Sequence, residues 1–226
     1  MNINHYTIKD AAYFANVRMD IISMVPLDPK QKILEIGAGT GNTLVYIKEK
    51  NIAAEVMGVE LINIPDSNQQ NPAIDRFQLA NIETENIKAS ENYFDAIICA
   101  DVLEHLADPW AAVDKITRHL KPNGMLIVSM PNIREIKTIS KIVFKADFKY
   151  EVSGGIMDKT HLRFFCKKNI RQLLTTAELT PVYCTPNFML KVVADGRKRR
   201  IINLLTLGLI KDLLTVQYIF IAKKRK

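Results

Sequence analysis

Cysteine is scarce in this chain, and its usual pairings are absent. Cys99, Cys166 and Cys184 lie far apart, and none belongs to a C-x-x-C pair. That argues against a disulfide framework or a cysteine zinc site and for reduced thiols in a cytosolic protein. No metal is expected. Long hydrophobic runs are missing too. The longest, Ile201 to Ile210, contains Asn203 and is about half of the roughly 20 residues that a bilayer span takes. The opening stretch lacks the apolar region of a secretory signal, so a cytoplasmic location is expected. With neither an internal repeat nor a low-complexity segment, 226 residues point to a single domain.

Negative charge is in short supply at one end only. From Lys191 onward ten Lys or Arg stand against Asp195 and Asp212, while the rest of the chain is close to neutral. That pattern disfavours nucleic acid as the main partner, because phosphates would be expected to meet positive charge across the body as well.

What is present is an alternation. Helical spacing of Tyr13, Val17, Ile21, Ile22 and Val25 ends at Pro26. "KILEIG" then reads as a buried strand and "NTLVYIKEKN" as a helix. "EVMGVELI", "DRFQLANIE" and "YFDAIICAD" carry three more strands, and "PWAAVDKITRHL" is a helix with Pro109 suited to its first turn. "KPNG" is a turn and "MLIVSMP" a fifth strand. Nearly continuous apolar strands alternating with helices indicate a parallel sheet covered on both faces. After Pro131 the rhythm breaks into an insertion rich in Lys, aromatic residues and Gly. "KKNIRQLLTTAEL" resumes as a helix, and "PVYCTP" and "TVQYIFIAKK" look like closing strands.

Three glycines, Gly37, Gly39 and Gly41, follow the first strand. The dinucleotide fingerprint G-x-G-x-x-G needs glycine where Asn42 stands, and the Gly-Lys-Ser/Thr of a Walker loop is absent, so a pyrophosphate ligand is disfavoured. Such a loop lets a ligand approach the backbone closely, although a plain tight turn has the same composition. Glu60 ends the second strand, where a carboxylate can accept from both ribose hydroxyls; a solvated charge at a strand end is the alternative. Glu35 is an odd residue inside a buried strand, where a carboxylate needs a partner such as a ligand ammonium.

Together "ILEIGAGTG", "GVELI", "FDAIICADVLEHLADP" and "LKPNGMLIVSMPN" resemble the successive motifs of class I S-adenosylmethionine-dependent methyltransferases. The resemblance implies a Rossmann-like doubly wound α/β fold, with a seven-stranded, mostly parallel sheet of order 3-2-1-4-5-7-6, the last strand antiparallel, and helices on both faces. It implies S-adenosylmethionine as cofactor and S-adenosylhomocysteine as product. Gly37, Ala38, Gly39 and Gly41 would line the methionine part with Glu35 near its amino group. Glu60 would hold the ribose, Leu61 would pack on the adenine, and Asn81 and Ile82 would meet the adenine edge, where many relatives carry Asp instead of Asn81. Ala100 and Asp101 would sit beside the sulfonium. Arg18 would reach the cofactor carboxylate, unless it lies on a solvated helix face. The expected organisation is a helical lid at 1–30, a cofactor-binding core at 31–131, a substrate-side insertion at 132–165, and a closing helix and strands at 166–226 with a basic apolar segment at 196–214. "GGIMDKTHLRFFCKKNIRQLL" further resembles methyltransferases of bacterial polysaccharide and glycan gene clusters, implying O-methylation of a small polar acceptor such as a sugar or glycan.

An alkyl hydroxyl acceptor needs a base. His5 and His119 are expected at the surface. His105 could be base, cofactor contact or a helix-start residue. His161 is slightly preferred as base, with Asp158 to orient it, against a loop simply held together by Asp–His and Arg contacts. Arg163 suits an anionic substrate group. The segment 197–214 could meet a membrane or a lipid-linked sugar, but core packing with solvated arginines is expected. A nicotinamide-dependent oxidoreductase and a catalytically inactive cofactor-binding subunit are the rivals, and the oligomeric state is open.

Overall fold

A computed structural model describes residues 17–152, 154–188 and 193–226. His5 and Tyr13 lie outside them. The first helix is described only as α1 (Met19–Ile22), with Ile21 and Ile22 buried beneath it. The alternation then runs β1 (Lys32–Ile36), α2 (Asn42–Glu49), β2 (Glu55–Glu60), β3 (Arg76–Leu79), β4 (Phe94–Ala100), α3 (Pro109–His119) and β5 (Leu120–Pro131). It continues with α4 (Ile136–Lys145), α5 (Lys167–Leu173), β6 (Leu179–Asn187), α6 (Val193–Leu205), α7 (Lys211–Leu214) and β7 (Gln217–Lys224).

The strands form one sheet in the order β3-β2-β1-β4-β5-β7-β6. Parallel pairing runs from β3 to β5, and β7 lies antiparallel between β5 and β6. The period-two alternation of a strand sorts each apolar run onto two faces. Leu34, Ile36, Ile97 and Cys99 pack with Val113, Ile116 and Ile170 on one side. Ile33, Val56, Ala96 and Ile98 pack with Ile21, Leu44 and Ile47 on the other. Burial on both faces is why the strands read as unbroken hydrophobic runs.

Local chemistry sets the ends. Asp108 caps α3 by accepting from the Ala111 N–H, and Pro109 occupies its first turn. The "KPNG" turn survives inside β5: pairing to β4 jumps from Phe94↔Leu120 to Ala96↔Met125, with Asn123 at φ 65°. Helix α5 is shorter than its pattern, because Leu174 is already its C-cap. His119 corrects the surface expectation. It is 8% exposed, and its Nδ1 bonds the Ser90 carbonyl at 3.1 Å, which fastens the end of α3 to the loop ahead of β4.

Candidate cofactor and acceptor site

Strand order reverses between β1 and β4, and the crevice beyond their carboxyl ends is where an open α/β sheet binds ligands. The chain leaves β1 through Gly37, Gly39 and Gly41, at φ 72°, 52° and 81°. A Cβ at Gly37 would lie 2.4 Å from Val102 Cγ2, so the loop packs directly against the segment leaving β4. At the end of β2, Glu60 reaches back, accepting from Gly39 N at 2.8 Å and Leu61 N at 2.7 Å. Gln69 braces the same loop by donating to the Gly39 carbonyl at 2.8 Å. Burial raises the Glu60 pKa, against the pull of those backbone donors.

Glu35 is 4% exposed, and its Oε2 has no hydrogen-bond partner among the described residues. Desolvation pushes its pKa up to about 8. The Arg18 charge and a Thr43 hydrogen bond oppose the shift, and the nearby Glu60 adds to it. A buried carboxyl with an unused oxygen is primed for a cation. Asn81 sits at the loop after β3, its Oδ1 accepting from Glu83 N at 2.9 Å, beside the buried Ile82. Lys115, which sequence reasoning did not single out, holds this loop from α3 through the carbonyls of Ile82, Glu83 and Glu85.

At the end of β4, Ala100 pairs with Ser129, and Asp101 adopts φ 56°. Its carboxylate accepts from Gln217 Nε2 at 2.7 Å and Ser129 Oγ at 3.3 Å and is ion-paired with Arg18. Arg18 also donates to Asp20 at 2.9 and 3.0 Å. Its guanidinium therefore ties α1 to the β4 and β5 ends instead of standing on a solvated face. Burial lowers the Arg18 pKa, but the two aspartates outweigh it and the net shift is upward.

A 3₁₀ turn, Leu103–His105, follows. Glu104 and His105 are 1% and 3% exposed, and His161 is 6% exposed. The Glu104 carbonyl accepts from Leu162 N at 2.9 Å and Arg163 N at 3.0 Å, which clamps the insertion onto this turn. His105 and His161 then stand edge to face with ring centroids 4.6 Å apart. The His105 Nδ1 bonds Thr160 O at 3.1 Å and the His161 Nδ1 bonds Ile156 O at 2.9 Å. The Asp158 carboxylate accepts from Thr160 N and Oγ1, and its carbonyl accepts from His161 N at 3.0 Å. Glu104 lies 4.0 Å from His161 Nε2, and neither of its carboxylate oxygens has a hydrogen-bond partner among the described residues. Burial, reinforced by Asp101, raises the Glu104 pKa well above the usual range. Phe164, Phe148 and Tyr150 extend an aromatic wall from His161. Arg163 points elsewhere: its guanidinium donates to the Ala107 carbonyl at 2.6 and 3.2 Å.

A doubly wound sheet with a glycine cradle and two carboxylates at its switch point defines a nucleoside-binding α/β protein. Its particular kind comes from comparison: the Methyltransferase domain family matches residues 11–183, and the chain belongs to that family. A ubiquinone biosynthesis O-methyltransferase of Rickettsia akari is 27% identical over 66% of this chain and 59% of its own length. One from Cereibacter sphaeroides (strain KD131) is 30% identical over 67% of this chain and 61% of its own. The chain thus spans about three fifths of the length of these curated relatives. A solved structure titled as a putative S-adenosylmethionine-dependent methyltransferase from Listeria monocytogenes shares the fold with a TM-score of 0.63. It is 14% identical, over 92% of this chain and 97% of that one.

The family's cofactor is S-adenosylmethionine, and the residues fit it. The unsatisfied Glu35 oxygen suits an ammonium, the three left-handed glycines leave room for the methionine part, and Glu60 stands where a ribose diol would be held. Sequence reasoning missed Glu104, the second carboxylate of "ADVLEHLA" after Asp101; its place between the apolar Leu103 and Leu106 was the available signal.

Proposed function

We propose that the chain is an S-adenosylmethionine-dependent methyltransferase that methylates oxygen on a sugar or glycan. The observation that carries this is the Glu35–glycine–Glu60 cradle opening directly onto Val102 and the buried Glu104–His105–His161 group. When bound, S-adenosylmethionine supplies a methyl on an already activated sulfonium, so no acid is needed for the leaving group. The protein's work is alignment, worth up to roughly 7–11 kcal/mol, and disposal of the acceptor's proton. We assign that disposal to the Glu104–His105–His161 group, with Asp158 fixing the turn that carries His161.

Transfer to oxygen is favoured by the relatives that are ubiquinone biosynthesis O-methyltransferases. The aromatic wall of Phe148, Tyr150 and Phe164 offers faces on which a sugar ring can stack. A lipid-linked acceptor is supported by the basic apolar segment, where the packing expectation fails. Leu204, Leu205, Leu207 and Leu209 are 74–89% exposed, with Arg197, Lys198 and Arg200 exposed on the preceding turn. Arg134 and Lys167 line a cleft of about 340 Å³ beside residues 208–213. Apolar side chains beside a basic cluster match the surface of an anionic membrane. No helix among the described residues is long and apolar enough to cross one.

Calorimetry with S-adenosylmethionine, S-adenosylhomocysteine and NAD tests the cofactor. Micromolar binding of the first two, lost in Glu60→Ala, is expected; binding of NAD alone would return the oxidoreductase reading. Labelled methyl transfer to nucleotide sugars and lipid-linked glycans then tests the acceptor. Transfer only to phenols or amines would overturn the glycan assignment.

A further inference from the structure

Burying a carboxylate with both oxygens unpartnered is costly, and proteins ordinarily avoid it by pairing or by coordinating a metal. Among the described residues Glu104 is such a group. Its neighbours are ligand types. One donor atom each from Glu104, His105 and His161 falls within 4.8 Å of the others. In a tetrahedral zinc site, ligand atoms about 2.0–2.1 Å from the ion stand roughly 3.4 Å apart. The 4.0 Å between Glu104 and His161 Nε2 needs to close by less than an ångström.

The histidine tautomers agree. A backbone carbonyl can only accept, so the Nδ1 atoms facing Thr160 O and Ile156 O carry the protons. In that tautomer the lone pair of each ring lies on Nε2. Metal-ligating histidines characteristically donate their other ring N–H to such a carbonyl, which fixes tautomer and ring orientation. The turn that supplies Glu104 and His105 and the loop that supplies His161 are locked together by the bonds from Leu162 N and Arg163 N to the Glu104 carbonyl. The donor set is thus held by main chain instead of by flexible side chains alone.

We propose that Glu104, His105 and His161 bind a divalent transition-metal ion of the zinc type, leaving an open coordination position toward the acceptor. Two imidazoles and a carboxylate are a catalytic-type ligand set, and imidazole ligands favour transition metals over magnesium. Binding of the ion rests on the cluster alone. Its use rests on the methyl-transfer reading: with the acceptor oxygen at the open position the ion held by Glu104, His105 and His161 would lower that hydroxyl's pKa, so that its proton passes to bulk water while the oxygen takes the methyl from the sulfonium and S-adenosylhomocysteine leaves.

The test uses the full chain. Metal content is measured after purification without chelator, followed by titration of the metal-free protein with Zn²⁺, with Co²⁺ for its ligand-field absorption, and with Mg²⁺. Expected are one Zn²⁺ or Co²⁺ per chain, a low-coordinate cobalt spectrum, and a rise in melting temperature with Zn²⁺. In Glu104→Gln and His161→Gln affinity should fall by about 10–100-fold or more, the loss that even outer-shell changes produce. Metal-free Glu104→Gln should melt no lower than the wild type, because an unpaired buried carboxyl is gone; that keeps the variant usable. Unchanged cobalt spectra in both variants would place the ion elsewhere, such as at Cys166, and overturn the proposal. So would a preference for Mg²⁺, or no binding at all. Binding without methyl transfer would leave the metal site standing and count against the proposed function only.

Discussion

Gly37 is constrained twice, by a φ of 72° and by Val102 Cγ2 lying 2.4 Å from where its Cβ would be. A side chain held in the left-handed region costs about 1–3 kcal/mol, and the contact pushes the β4 loop outward. Gly37→Ala is expected to weaken S-adenosylhomocysteine binding at least about tenfold, since 1.4 kcal/mol is a factor of ten, and titration calorimetry reads it. Glu35 makes a prediction in pH. Its folded pKa, about 8, lies above the ordinary 4.5. A raised carboxyl contributes stability that is full below 4.5 and is lost as pH rises through about 8. Arg18 and Glu60, the charged groups acting on it, shift the value in opposite senses without changing that sign. The ligand-free protein should therefore melt lower as pH rises across this window, and Glu35→Gln should flatten the slope. Cofactor affinity should rise over the same range, because an ammonium selects the ionised carboxyl. At this scale Glu35, the glycines and Glu60 were legible, because strand-end carboxylates and clustered glycines announce themselves along the chain. Glu104 was not. What distinguishes it is the absence of a partner among the described residues, beside the rings that the return of residues 154–163 brings up to it.

Elements were legible where one physical rule dominated. The strands β1 to β5 and helices α2 and α3 stand close to where apolar period, proline and caps place them. The segment 196–214 was not legible, because a leucine-rich stretch looks the same whether it faces protein or solvent. What anchors it is polar: Arg199, 5% exposed, meets Glu135 at 2.5 Å and Asp195 at 3.2 Å and donates to Leu214 O at 2.8 Å. The expectation of solvated arginines fails at this one. Removing one partner of a buried pair costs about 3–5 kcal/mol, whereas replacing both with apolar residues can be neutral. Arg199→Ala should lower the urea midpoint accordingly, and Arg199→Met combined with Glu135→Leu should recover most of it. Replacing Leu204, Leu205, Leu207 and Leu209 with serine should abolish sedimentation with anionic vesicles while leaving S-adenosylhomocysteine affinity unchanged; retained sedimentation would refute the membrane assignment.

Across the whole molecule, charge and chemistry are separated. The positive excess sits after Lys191, while the crevice at the β1/β4 switch point is lined by carboxylates. Membrane attraction of this kind is screened as the Debye length falls from about 10 Å at 0.1 M salt to about 3 Å at 1 M. Vesicle binding should weaken steeply with salt while cofactor binding at the buried cradle changes little. The sheet order was legible only through resemblance, since nothing in the local pattern of β6 or β7 says which one lies at the edge.

That edge sets an order of events. Among the described residues β6 pairs with β7 alone, and β7 bridges β5 to β6 from Gln217 to Lys223. Until residues 217–224 are available, the β5 edge is open and β6 has nothing to pair with. During synthesis the strand made earlier must wait for the strand made later. The half of the sheet from β3 to β5 can form first, and the β6 half closes in a single late step; amide protection in β6 and β7 should therefore appear together and last in pulse-labelled refolding.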